Sequence, residues 1–178
     1  GYRDLTVVLN SIYAKTGVSG VLYQVKNLVR CQDENRFSEF LRILSGEDQS
    51  LFELSCEWIQ GEKMEGIAVG GNIRCLLKLA GTPFWPDMRE KILVLEALSG
   101  RTPQIVTYLN QLLQMGVFRQ IKGILLGTFT QLEQEDPSVS AAALVQKYAG
   151  YEIPLAQTRD IGHGYDAKGI VIGKKISI

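Results

Sequence analysis

Histidine is almost absent from this 178-residue chain: His163 is the only one. Cysteine is scarce too, with Cys31, Cys56 and Cys75 scattered and no pair in C-x-x-C spacing. One imidazole and dispersed thiols do not make a metal-ligand set, and an odd cysteine count does not make a disulfide framework. Reduced, mostly buried thiols are expected instead. Neither charge sign is in excess: 19 basic residues face 19 acidic ones, and neither forms a long block. That argues against a nucleic-acid partner and against a polybasic membrane patch. No apolar run approaches the roughly 18 residues of a membrane span. No signal-peptide pattern opens the chain and no membrane partner is expected; the reduced thiols suit a cytoplasmic protein.

What is present has an ordinary globular balance, 46% hydrophobic and 21% charged. The length supports one sizeable core, or a core plus a fragment of a second. The chain opens on Gly1 rather than on methionine, and that start reads as a cut point. Asp4 is a good helix N-cap, Leu5, Val8, Leu9 and Ile12 recur at the helical period, and Gly17 supplies a stop. A short strand follows, about Gly20 to Lys26, then a polar stretch from Asn27 to Asn35 that suits a crossing between domains. A second helix carries Phe37, Phe40, Leu41 and Leu44 on one face and ends at Ser45-Gly46. Strand-like pieces come next, Ser50 to Ser55 and Gly66 to Val69, and Gly70-Gly71-Asn72 then breaks the strand and starts a helix.

The apolar run Lys91 to Leu95 reads as a buried strand. Thr102-Pro103 opens a helix with Ile105, Leu109, Leu112 and Leu113 inward. Ile121 to Leu126 is another buried strand. A weaker helix, about Val139 to Tyr148, precedes the strand Pro154 to Thr158, and a final strand pair over Gly169 to Ile178 turns at Gly173-Lys174. Strands alternating with helices at this spacing indicate an α/β domain with a mainly parallel or mixed sheet and flanking helices.

Three features carry possible chemistry. His163 sits in the loop Gly162-His163-Gly164; a lone histidine is usually a surface or satisfied core residue, but flanking glycines permit the sharp turns and close approach that a site needs. Glu96 ends the strand Lys91 to Leu95. It is either the first solvated residue past the core or a buried carboxylate that requires a partner, and an imidazole N–H would serve. Together they are two thirds of a hydrolytic triad, in which the acid orients the base. No serine or cysteine occupies a nucleophile setting: Gly17-Val18-Ser19-Gly20 is followed by Val21, so G-x-S-x-G is not met. Gly70-Gly71-Asn72 is either a tight turn with Asn72 as N-cap or a backbone cradle for an anion or a carbonyl oxygen of a substrate.

The order of the pieces resembles the LD-carboxypeptidase family of serine peptidases, which includes muramoyltetrapeptide carboxypeptidases and microcin C self-immunity peptidases. Gly1-Tyr-Arg-Asp-Leu-Thr6 resembles the family's G-Y-S-D-x-T, with Arg3 in place of serine. Phe40-Leu-Arg-Ile-Leu-Ser-Gly46 resembles the helix leading into the second domain. Gly70-Gly71-Asn72 with Gly81-Thr82-Pro83 is similar to G-G-N-L…G-T-P, Lys91 to Glu96 to K-I-L-F-L-E, Gly116-Val-Phe118 with Gly123 to Phe129 to the next helix-to-strand unit, and Gly162-His163 to the catalytic G-H. Leu22-Tyr-Gln-Val-Lys26 departs from the family by lacking H-G-P or Y-G-P.

The resemblance implies catalytic roles for Glu96 and His163, with a serine nucleophile upstream of Gly1. Residues 1–30 would then be the end of a nucleophile-bearing N-terminal domain and residues 31–178 the C-terminal domain. It further implies a murein tetrapeptide or peptide-conjugate substrate, a homodimer, and no metal or organic cofactor. This stretch alone is expected to be inactive. A non-catalytic binding or assembly module of the same fold is the rival expectation.

Overall fold

The computed structural model describes residues 2–30 and 34–178, so Cys31 and part of the expected crossing at 27–35 lie outside the described residues. Four strands form the parallel heart of a six-stranded sheet: β3 (Glu65–Asn72), β4 (Lys91–Ala97), β5 (Gly123–Phe129) and β6 (Leu155–Gln157). Two antiparallel edge strands finish it, β2 (Glu57–Gln60) beside β6 and β8 (Lys175–Ser177) beside β3, giving the order β2-β6-β5-β4-β3-β8. The apolar runs of β4 and β5 reflect cover on both faces, as parallel strands require.

Each parallel strand lies next to its predecessor, so crossovers of one hand put their helices on one face. That face holds α4 (Ile73–Leu76), α5 (Thr102–Gln114), α6 (Thr130–Glu135) and α7 (Ala141–Ala149), packed through Ile73, Ile105, Leu109, Leu112, Leu132 and Val145 onto Val69, Leu93, Leu95, Ile124 and Leu126. The opposite face carries Ala68, Ile92, Val94, Leu125 and Ala156, and other elements cover it. These are α1 (Tyr2–Thr16) and a ribbon in which β1 (Gly20–Leu22) pairs antiparallel with β7 (Ile170–Ile172). Leu5, Leu9, Leu22, Ile161, Ile170 and Ile172 supply the apolar contacts there. Two further helices, α2 (Lys26–Arg30) and α3 (Glu34–Ser45), follow β1.

The mixed α/β architecture follows the sequence expectation, but several local expectations do not hold. Ser50–Phe52 is a 3-10 turn, and the edge strand forms later, at Glu57–Gln60. The last two strands do not pair with each other: β7 joins β1 while β8 joins β3. Strand β3 is not broken at Gly70; it runs on through Gly71 to Asn72. Helix α1 is rotated from its apolar stripe, with Val8 and Ile12 48% and 42% exposed, while Thr6 and Asn10 are fully buried. Phe37, Leu41 and Leu44 of α3 are likewise exposed, as is Leu113 of α5.

Candidate active site

The carboxyl ends of β3, β4, β5 and β6 converge on the face covered by α1, the edge at which open α/β sheets hold ligands. Side chains alternate along β4, so Glu96 shares its face with Ile92 and Val94, toward α1 and the β1–β7 ribbon. The β4–β5 ladder shifts register between Leu95 and Ala97, releasing the backbone at Glu96 from regular pairing. Glu96 itself is fully buried. A carboxylate there is costly unless polar groups surround it.

Two groups do so. Asn72, directly opposite in the β3–β4 register, donates from Nδ2 to Glu96 Oε1 at 2.8 Å. His163 Nδ1 lies 2.8 Å from Glu96 Oε2, with the imidazole side chain only 7% exposed. That approach is close but off-line, short of a well-aligned hydrogen bond. Such contacts commonly tighten once substrate binds. With Nδ1 turned to the carboxylate, its proton stays there and the lone pair is on Nε2.

The loop after β6 delivers the histidine through close contacts that only glycine permits. Gly162 has φ 151°, and a Cβ on it would overlap Thr128 Oγ1. Gly127 on β5 is equally confined, since a Cβ there would meet the carbonyl of Ile161. Thr128 N in turn donates to Ile161 O at 2.9 Å, fixing the loop across the end of β5.

The sequence-predicted residues thus meet at one corner, although 67 positions separate Glu96 from His163 in the numbering. Gly70 and Gly71 lie beside them and are buried. Gly70 N donates to Asn10 Oδ1 at 2.8 Å, and Asn10 Nδ2 returns a bond to Gly70 O at 2.8 Å. A Cβ on Gly71 would sit 2.7 Å from Thr6 Oγ1 and 2.8 Å from Leu22 Cδ2, so the glycine admits α1 close to the sheet. Asn72 is the N-cap of α4 through Cys75 N, at 3.3 Å, and its own N–H donates to Thr6 Oγ1 at 3.0 Å. Asn72 is thus an N-cap, at the end of a strand rather than in a tight turn.

Residues 65–178 match the C-terminal domain of LD-carboxypeptidases, well over half of the chain. The chain belongs to the LD-carboxypeptidase family. It is 30% identical over 193 residues to a probable murein peptide carboxypeptidase of Bacillus subtilis, covering 100% of this chain and 58% of that protein. It is 32% identical over 137 residues to a murein tetrapeptide carboxypeptidase of Pseudomonas aeruginosa, covering 75% of this chain and 44% of the relative. The chain therefore spans about half the length of the relatives it matches. Its fold superposes on the apo microcin C7 self-immunity protein with a TM-score of 0.83 at 20% identity, over 100% of this chain and 63% of the other. A muramoyltetrapeptide carboxypeptidase from Oxalobacter formigenes gives 0.76 at 22% identity, over 98% and 62%.

A cleft of about 440 Å³ opens beside the loop in this LD-carboxypeptidase domain, lined by Cys56, Thr128, Glu133, Thr158, Arg159 and Asp160. Burial, and then the charge of Asp160, push the Cys56 thiol above its usual pKa, which keeps it protonated and a poor nucleophile. Among the described residues no group of three or more His, Cys, Asp or Glu side chains could hold a metal ion, and no helix is long and apolar enough to cross a membrane. Sequence reading missed Thr6, Asn10, Gln24 and Asn27, all buried polar residues around this corner. Thr6 and Asn10 are four apart, and that spacing of polar groups on a helix was the available signal.

Proposed function

We propose that Glu96 and His163 are the acid and base of a serine-type LD-carboxypeptidase that hydrolyses the L,D-peptide bond of a murein tetrapeptide. The observation that carries this reading is the 2.8 Å approach of His163 Nδ1 to the buried Glu96 carboxylate, whose second oxygen is occupied by Asn72. A serine hydroxyl from the preceding N-terminal domain attacks the carbonyl carbon before the terminal residue. His163 Nε2 takes the hydroxyl proton and passes it to the leaving amine. A water then attacks the acyl-enzyme ester, again giving its proton to Nε2, and serine departs with that proton restored. Glu96 holds the tautomer and balances the imidazolium charge. Gly70, Gly71 and Asn72 serve substrate binding indirectly, by fixing this corner. Residues 1–30 close the first domain and residues 31–178 form the second. The active protein is a cytoplasmic homodimer, and the 178-residue stretch alone does not turn over.

The rival reading, a binding module without catalysis, draws on one specific feature. Thr6 accepts from Asn72 N, so α1 begins beside the Glu96 corner, and Arg3 in its first turn stands where the resemblance has serine. A separate enzyme reading, cleavage of peptidyl-nucleotide conjugates, draws support from the solved complex of the microcin C7 self-immunity protein with aspartyl sulfamoyl adenosine.

Hydrolysis of a murein tetrapeptide by the full-length protein, with Glu96→Gln, His163→Ala and Arg3→Ser variants, tests both. The enzyme reading expects turnover that falls about 10⁴-fold in Glu96→Gln, as for a comparable triad change. Loss in the double variant should scarcely exceed that in His163→Ala, because such groups act as a unit. No turnover in the native protein, with turnover appearing in Arg3→Ser, would overturn it in favour of the binding module.

A further inference from the structure

The carbonyl groups on both sides of His163 are held by one short segment far away in the chain. Gln24 Nε2 donates to Gly162 O at 2.8 Å, and Asn27 Nδ2 donates to Gly164 O at 2.9 Å. Both amide side chains are buried, with 4% and 3% exposure, as few glutamines and asparagines are. The fold explains how they arrive. Leu22 at the end of β1 pairs with Ile170 at the start of β7, so the chain leaving β1 runs beside the loop that enters β7. Asn27 N donates to Gln24 O at 2.8 Å, which turns this segment back on itself and aims both side chains at the same loop.

We propose that Gln24 and Asn27 are positioning residues, an amide clamp that sets where the His163 imidazole points. Three observations support it. The two bonds flank the histidine and touch neither its ring nor Glu96, so they fix the backbone from which the ring projects. The loop needs such fixing because Gly162 and Gly164 permit backbone freedom at both neighbours. Finally, the buried Gln24 Oε1 has no hydrogen-bond partner among the described residues. A buried glutamine with an unsatisfied acceptor is costly for the fold, so its retained donor bond to Gly162 has a specific use. Gln24 also lies in the segment Leu22 to Lys26, which departs from the family's H-G-P or Y-G-P, so the clamp is a feature of this chain's own residues.

The inference rests on the reading of His163 as general base, and the experiment separates the two. Gln24→Met keeps the side-chain volume and removes the donor, and Asn27→Leu does the same on the other side. In the full-length protein, kcat for a murein tetrapeptide should fall at least about tenfold in each variant, with KM within about threefold, since a misplacement near 1 Å can cost about a hundredfold. The His163 imidazole resonances, assigned by their loss in His163→Ala, should shift or broaden in both variants. A lower melting temperature with unchanged kcat and unchanged imidazole signals would reduce Gln24 and Asn27 to packing residues and overturn the clamp. If the native protein does not hydrolyse the peptide, the catalytic reading fails, and the spectra alone decide: unaltered imidazole signals in Gln24→Met and Asn27→Leu refute the clamp, and altered ones uphold it.

Discussion

Replacing Asn72 with aspartate changes one atom group and should convert a buried bond into a buried conflict. The asparagine currently does two jobs with its two ends: Oδ1 caps α4 through Cys75 N, and Nδ2 donates to Glu96 Oε1 at 2.8 Å. Asn72→Asp keeps the cap acceptor and removes the donor, so cap loss, worth about 1 kcal/mol, does not confuse the result. The new carboxyl faces Glu96, which is fully buried. Two like charges about 4 Å apart repel by on the order of 4 kcal/mol at an effective dielectric constant of about 20. The lost donor bond to a charged group adds about 1.5–3 kcal/mol. The total is comparable with the stability of many domains.

The sign of the pH effect follows from that conflict. Repulsion and burial raise the folded-state pKa of the introduced carboxyl above its unfolded value near 3.9. Between the two values the folded state binds more protons than the unfolded one, so stability falls as pH rises, and the penalty is full above the raised folded value. It shrinks as pH falls through the raised folded value toward the unfolded one. Urea denaturation of the Asn72→Asp protein at pH 7.5 and pH 5, against the native protein at each, measures this. The expected result is a loss of about 3 kcal/mol or more at pH 7.5 that is partly recovered at pH 5. An equal loss at both values would mean that Glu96 and residue 72 are not electrostatically coupled, and the account of the site would fail.

Gly162→Ala and Gly164→Ala should differ sharply, because a Cβ at Gly162 overlaps Thr128 Oγ1 at the end of β5, whereas at Gly164 it meets the movable tip of Asp166 at 2.6 Å. Thermal melts should give a loss of about 1–3 kcal/mol for the first and little for the second; similar values would refute the close packing of the loop on β5. Arg89 holds the Asp87 carboxyl down to about 2 through a two-pronged contact, at 2.8 Å from Nη2 and 3.0 Å from Nε. Both groups are largely exposed, so Arg89→Ala should cost little stability. Because the folded pKa is depressed, that contribution is present above about pH 4 and fades as pH falls through about 2, which acid titration of the two proteins would detect.

The pairing of Glu96 with His163 was partly legible in the sequence because each carries a local mark. Glu96 interrupts an apolar strand at its end, and His163 is flanked by glycines. The diglycine misled for a physical reason: Gly70 and Gly71 mimic a strand break, but their missing side chains serve the close approach of α1 to a continuing strand. Helix α1 misled in the same way. Its apolar stripe predicted Val8 and Ile12 inward, whereas hydrogen bonds from Asn10 to Gly70 and from Asn72 to Thr6 orient the helix by polar contacts. Gln24 and Asn27 carried no local mark at all, since the bonds they make span 138 and 137 positions.

The β1–β7 pairing also sets an order in time. Gly20–Leu22 leave the ribosome about 150 positions ahead of their partners Ile170–Ile172. Until then the face of the sheet bearing Ile92, Val94 and Leu125 has no ribbon over it, and such long-range closure is slow. His163 is synthesised shortly before that ribbon can zip up. The buried Glu96 therefore gains its imidazole at nearly the same moment as the sheet gains its cover, and no shorter nascent chain can hold the assembled corner. A translation pause placed before residue 170 would accordingly leave Glu96 and His163 made but without the β1–β7 ribbon over their corner.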